Sequence, residues 1–296
     1  MFAVPHPAQL SSPPRLLRAC WLGFGIALAA VGTAAADDGN VRCAAGTKAS
    51  PPDVIAACSP IIDDQATPRS DRTAALVARA DARARTAGGL SQALADLDRA
   101  IALDGKNGAA YRLRGDLTRE AGGDLARAEA DFSKAIALDP QDAEAHELRG
   151  VVYTNQHKLD RAIADYDQAI RLKPDDPQAY SDRGATYYLA GDNEKAVRDF
   201  DEALRLDPNR PRTHTNRAAA YKKLGQLDKS LADDDEAIRL DAKVPEFFDN
   251  RGLTYAAMHD YDKAIADYDQ AIRLEPRANF LTNRGDSYQF KGELGT

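Results

Sequence analysis

The sequence predicts an all-α solenoid, a stack of helix hairpins in which each unit covers the face of the next. The first reason is a period of 33 to 35 residues that runs from Thr73 to the end of the 296-residue chain. The second is that each period holds two stretches with apolar residues at i, i+3 and i+4, divided by a polar turn with Gly or His. The third is composition. The chain is 44% hydrophobic but only 7% aromatic, so its interior must be built mostly from Ala, Leu and Ile. A lone hairpin cannot bury its apolar face, and stacking must supply the core.

Residues 1–36 form an address. Arg15 and Arg18 make a basic segment with no acidic residue before Asp37, Trp21 to Val31 is an apolar run, and Ala34-Ala35-Ala36 sets small residues before a cleavage point. This is the pattern of a secretory signal peptide. An uncleaved anchor is the competing reading, because Ala19 to Ala36 is almost wholly apolar; it would be the chain's one contact with a membrane. The glycines and the small-residue triplet favour cleavage near Ala36 and a periplasmic or secreted protein. After cleavage two cysteines remain, Cys43 and Cys58, an even number suited to an oxidising compartment. Their spacing is not that of a CxxC redox pair, so a structural disulfide is expected, stabilising by about 3 kcal/mol. Residues 37–72 do not form a full repeat. Asp53 to Ile62 has the pattern of a second helix, and the segment is expected to be an N-terminal half-repeat cap pinned by Cys43 and Cys58.

Six repeats follow, at 73–107, 108–142, 143–176, 177–210, 211–244 and 245–277, with a half-repeat at 278–296. Column eight holds Ala80, Gly115, Gly150, Gly184, Ala218, Gly252 and Gly285. The second helices carry Ala93, Ala128, Ala162, Ala196, Ser230 and Ala264, and seven residues later Ala100, Ala135, Ala169, Ala203, Ala237 and Ala271. Antiparallel helices approach closely only where side chains are small, so these columns mark crossings. Lines close on Pro140, Pro174, Pro208 and Pro276.

In these columns the chain resembles the tetratricopeptide-repeat family, from Thr73 onward. The resemblance implies a right-handed superhelix whose first helices line a concave, partner-binding groove. Departures gather in the fifth repeat. Ser230 replaces the column Ala, Ala242 replaces the closing Pro, and Asp234 stands where other repeats have Leu97, Phe132, Tyr166, Phe200 and Tyr268. Burying a lone carboxylate costs several kcal/mol. Asp234 is therefore expected to be exposed, loosely packed, or paired with Lys229 or Arg239, and residues 211–244 to be a soft point.

A charged ladder accompanies the repeats. Arg79, Arg114, Arg149, Arg183, Arg217, Arg251 and Arg284 precede column eight, and Asp96, Asp131, Asp165, Asp199, Asp233 and Asp267 recur in the second helices. A guanidinium fork meets a carboxylate bidentately, so partly buried Arg–Asp pairs are expected, with Asp199 as the first choice for Arg183. The competing reading is an anion site along the Arg column. Asp-x-Asp recurs at Asp165/Asp167, Asp199/Asp201, Asp233/Asp235 and Asp267/Asp269, but residues two apart on a helix diverge and cannot share one ion. His146, His157, His214 and His259 lie in different repeats, without zinc spacing, and suit turns and packing. No catalytic motif, cofactor or metal site is expected.

Surface remains. With 39 Lys and Arg against 46 Asp and Glu and no basic run, nucleic acid is an unsuitable partner. The resemblance places Arg112, Asp116, Arg119, Glu147, Asn155, Ser181, Tyr188, Thr215, Lys222, Lys223 and Asp249 in the groove, with Tyr188, Lys222 and Lys223 as a central patch. The expected function is a non-enzymatic, exported protein-interaction scaffold that holds a protein or peptide segment there. The alternative is a non-catalytic accessory subunit of a cell-envelope enzyme or assembly complex.

Overall fold

The computed structural model describes Cys43 and residues 49–294. The signal-peptide reading and the last two residues of the C-terminal half-repeat lie outside them. Among the described residues there are helices and no strands. They divide into two units, one ending at Gln156 and the other beginning at His157.

In the first unit α1 (Pro51–Asp63) precedes α2 (Arg69–Ala84), α3 (Leu90–Leu103), α4 (Gly108–Glu120), α5 (Leu125–Leu138) and α6 (Ala143–Asn155). Each packs on its neighbour in sequence, and α2, α4 and α6 also meet in order. In the second unit the order is α7 (Leu159–Leu172), α8 (Pro177–Leu189), α9 (Asn193–Leu206), α10 (Pro211–Lys223), α11 (Leu227–Leu240), α12 (Pro245–Ala257), α13 (Tyr261–Leu274) and α14 (Ala278–Leu294). Packing is again consecutive, with α8, α10, α12 and α14 in contact one after the next.

Local chemistry sets these boundaries. Asn107, Asp124, Asp142, Asp176, Asp192 and Asp260 cap helix N-termini by accepting from backbone N–H groups. Pro177, Pro211 and Pro245 open their helices, where no intrahelical donor is needed. The hairpin turns need a left-handed residue. Gly191 and Gly225 supply it at φ 84° and 72°, while His157 and His259 adopt it at 56° and 63°. Those two histidines are turn residues, whereas His146 and His214 are buried.

Column eight is where hairpins close. A Cβ added to Gly115 would lie 3.0 Å from the Phe132 ring, one on Gly184 2.9 Å from Phe200, and one on Gly252 2.6 Å from Tyr268. These rings are buried. The fifth repeat keeps the same plan despite lacking its Pro. Helix α11 still ends at Leu240, because the Lys243 N–H bonds to the Asp241 side chain at 3.0 Å and turns the chain.

At the N-terminus, Val54, Cys58 and Ile62 of α1 are buried in one cluster with Leu76 and Ala80 of α2. The sulfurs of Cys43 and Cys58 stand at bonding distance, 2.13 Å. The helix starts two residues before the expected Asp53, and it continues past Pro60 for one more turn.

Candidate functional site

Every described Arg of the ladder makes a contact beyond its own helix. Arg183 on α8 donates from Nε and Nη2 to the two oxygens of Asp199 on α9, both at 2.7 Å. Its remaining nitrogen, Nη1, donates to Asp167 on α7 at 2.6 Å. Arg217 repeats this with Asp233 and Asp201, Arg251 with Asp267 and Asp235, and Arg114 with Asp131 and Asp98. Arg79 holds Asp96 and reaches Ser59 on α1, at 3.0 Å. Arg149 reaches Ser133 at 3.1 Å and Arg284 reaches Asp269 at 2.6 Å. Arg149 and Asp165 fall in different units.

The second acceptor is what the sequence reading missed. The diverging carboxylates of Asp199/Asp201, Asp233/Asp235 and Asp267/Asp269 share no ion, but each meets a different arginine: the first its own repeat's, the second that of the repeat after. One guanidinium thus ties three consecutive helices. The signal was present as a column of its own, Asp98, Ser133, Asp167, Asp201, Asp235 and Asp269. Ser59 continues that column into α1, which makes α1 the second-helix equivalent of a half-repeat.

Environment separates otherwise equal pairs. Burial outweighs Arg183 and leaves the Asp199 carboxyl above its ordinary value. Burial would also raise Asp233, but Arg217 and His214, whose Nδ1 lies 2.9 Å away, together hold it below.

The groove positions divide into engaged and open ones. In the first unit Arg112 pairs with Asp142 at 3.0 Å and with Glu144, and Arg119 donates to buried Asp116 at 2.7 Å. Glu147 is buried and Asn155 exposed. In the second unit Ser181 and Thr213 share a 3.0 Å hydrogen bond, Thr215 donates to the Arg212 carbonyl, and Asn283 donates to Asp249 at 2.8 Å. Arg112, Ser181 and Asp249 therefore link neighbouring first helices, while Arg119 and Thr215 bond within their own.

The expected Tyr188, Lys222 and Lys223 patch needs correction. Tyr188 packs against an apolar cluster containing Ala185, Phe200 and Ala220. Lys222 is half-buried and only Lys223 is exposed. Burial lowers the Lys222 ammonium from its ordinary value, while the Asp234 and Asp249 charges oppose that.

Asp234 also departs from expectation. It is 1% exposed, and Lys229 and Arg239 bond to Gln226 and Glu236 instead. Its Oδ2 accepts from Thr254 Oγ1 of the next repeat at 2.6 Å. Burial pushes its carboxyl up to about 7, and that of Asp249 up to about 6.

Open side chains remain at Arg212, in the second column, and at Asn216 and Asn250, in the sixth. Arg212, Asn216, Glu246 and Asn250 surround Val244 and Phe247 in a shallow depression on α10 and α12. Arg212 is exposed, and the Asn216 and Asn250 side chains are half-exposed. Those two amides stand one repeat apart, at the sixth position of their helices.

Family models described as tetratricopeptide repeat match residues 77–142, 117–177, 150–220 and 250–277, together more than half of the chain. No curated protein matches. Among solved structures, a tetratricopeptide repeat protein from Parabacteroides merdae ATCC 43184 is 18% identical over 86% of this chain and 98% of its own, with a TM-score of 0.64. PilF of Pseudomonas aeruginosa is 18% identical over 74% of this chain and 99% of its own, also at 0.64. YrrB, a TPR protein with an unusual peptide-binding site, is 23% identical over 64% of this chain and 97% of its own, at 0.52. At these identities the likeness is one of fold.

Proposed function

Because the chain belongs to the tetratricopeptide-repeat family, whose hairpin stacks serve as protein-interaction scaffolds, we propose that it holds an extended segment of a protein partner along its first helices. The observation that carries this reading is the depression on α10 and α12, with the half-exposed Asn216 and Asn250 amides beside buried Phe247. An amide offers one donor and one acceptor to a backbone peptide group, and two of them at repeat spacing suit an extended chain. Arg212 would select the charge of flanking residues, and Phe247 would line the floor. The ladder would keep the first helices in fixed register, so that little order is lost on binding.

We further propose export. The basic segment, apolar run and Ala34-Ala35-Ala36 triplet support it, as does the cysteine pair. In an oxidising compartment Cys43 and Cys58 would stay joined and hold α1 in place.

Site-specific photocrosslinking tests the binding surface. A photoreactive residue at position 212 or 250 should trap a partner from cell extract, and one at exposed Asp160 on α7 should not. Equal yields at all three positions would reject the proposed surface. Sequencing of periplasmic protein should begin at Asp37, and a start at Met1 would reject export.

A further inference from the structure

Where both helices of a hairpin lie in one unit, the first helix gives the fourth, seventh, eighth and eleventh residues of its repeat to its own second helix. On α12 these are Phe248, Arg251, Gly252 and Tyr255. Phe248 is 8% exposed and shares a cluster with Ala271 of α13. Arg251 holds Asp267, Gly252 underlies the Tyr268 ring, and the Lys263 ammonium stands 5.3 Å over the Tyr255 ring.

On α14 the same four positions are Leu281, Arg284, Gly285 and Tyr288. Leu281 is 46% and Tyr288 54% exposed. A Cβ on Gly285 would meet nothing within 4 Å. Arg284 reaches back to Asp269 through Nη1, and among the described residues its Nε–Nη2 edge has no acidic partner. Helix α14 therefore carries a complete first-helix face with no second helix upon it among the described residues.

The repeats state what such a face accepts. On α9, Lys195 lies 5.2 Å over Tyr187, Asp199 grips Arg183, and Phe200 covers Gly184. On α13, Lys263, Asp267 and Tyr268 do the same, and Ala196 or Ala264 follows the Lys at the crossing. We propose that this face of α14 docks an amphipathic helix of a partner protein that presents Lys-Ala-x-x-Asp-Phe or Lys-Ala-x-x-Asp-Tyr. Lys would stand on Tyr288, Asp on the open edge of Arg284, and the aromatic ring over Gly285 against Leu281. A second copy of this chain is a poorer occupant, because its own helices of this signature keep Asp199, Phe200, Asp267 and Tyr268 buried in their hairpins.

A fluorescent peptide of the 14-residue Asn193–Leu206 sequence tests this against the full chain by anisotropy. Isolated helices of that length are marginal, so a lactam joins Glu202 to a lysine at position 198 (Arg198→Lys), an exposed site. Saturable binding is expected. Asp199→Asn in the peptide, or Arg284→Gln in the chain, should each weaken it about tenfold through loss of a charge-assisted bond. Gly285→Leu should abolish it without lowering the helical circular dichroism or the melting temperature of the chain, since that site faces open space. Absence of saturable binding, or binding undiminished by Gly285→Leu, overturns the proposal. Sedimentation in which Gly285→Leu dissolves a dimer also overturns it, by assigning the face to a second copy.

Discussion

Thr254 of the sixth repeat donates a 2.6 Å hydrogen bond to the buried carboxylate of Asp234 in the fifth. The same hydroxyl oxygen lies 3.1 Å from Ser230 Oγ, close enough to accept its proton. Two departures from the repeat pattern, Ser230 and Asp234, thus belong to one buried polar chain. Each would be a defect alone. Together with Thr254 they form a specific joint between consecutive repeats, and Lys222 adds a charge that favours the ionised carboxylate.

Asp234 makes that joint pH-sensitive. Its carboxyl is pushed up to about 7 by burial, from an ordinary 3.8. Between those values the folded state keeps a proton that the unfolded chain has released. This contribution to stability is therefore full at acid pH, falls as pH rises through the window, and is flat above it. Asp234→Asn should remove the slope, so the variant gains on the parent with rising pH, by up to about 4 kcal/mol. Urea melts of both proteins between pH 4 and 8 measure the difference. A difference independent of pH would show that Asp234 does not titrate in this window.

The ladder should be strong on one edge and weak on the other. Asp199 is nearly buried beside Arg183, whereas the Asp167 side chain is 50% exposed. Arg183→Leu strands a buried carboxylate and should cost roughly 2–4 kcal/mol. Asp167→Ala should cost less than about 1 kcal/mol, as exposed ion pairs do. In double-mutant cycles the coupling of Arg183 with Asp199 should exceed that with Asp167. Equal couplings would mean that solvent does not distinguish the two carboxylates.

The hairpins, their crossings and the Arg–Asp columns were legible because a 34-residue period repeats each constraint at a fixed offset. Where one offset serves two neighbours, the sequence is ambiguous. Asp201 sits two residues from Asp199, and nothing local says that its arginine comes from the repeat after. The same blindness hid the partner of Asp234. Lys229 and Arg239 were nearest along the chain, but they lie on the exposed face of α11 and bond to Gln226 and Glu236 there. Thr254 is 20 residues away and comes near only through stacking. The groove suffered differently. Position in a repeat says that a side chain faces the neighbouring first helix, yet bonds such as Ser181 to Thr213 decide whether it remains open.

Glycines of one column should respond oppositely to the same substitution. Gly252→Ala places a methyl 2.6 Å from the buried Tyr268 ring, which cannot swing aside, so a loss of about 1–3 kcal/mol is expected. Gly285→Ala adds a methyl to open space on a helix and should stabilise by up to about 1 kcal/mol. Thermal melts of the two variants test this. Equal losses would imply that α14 is covered in solution.

Helix α1 should be the part of the first unit that depends on the disulfide. It is 13 residues long with Pro60 inside it, so it lacks one backbone donor and is too short to persist alone. What holds it is the burial of Val54, Cys58 and Ile62, the contact of Ser59 with Arg79, and the proposed disulfide from Cys58 to Cys43. Reduction frees the loop between the cysteines and should lower stability by about 3 kcal/mol in the chain-entropy model. The loss should be local, because a repeat stack is held by nearest-neighbour contacts. Amides of α1 should then exchange faster on reduction, those of α2 somewhat faster, and those of α5 at an unchanged rate. Hydrogen exchange followed by mass spectrometry, with and without reductant, resolves these segments. If α1 exchanges equally slowly in both states, its apolar contacts hold it without the disulfide. If α5 accelerates with α1, the first unit unfolds as a whole and the bond stabilises all of it.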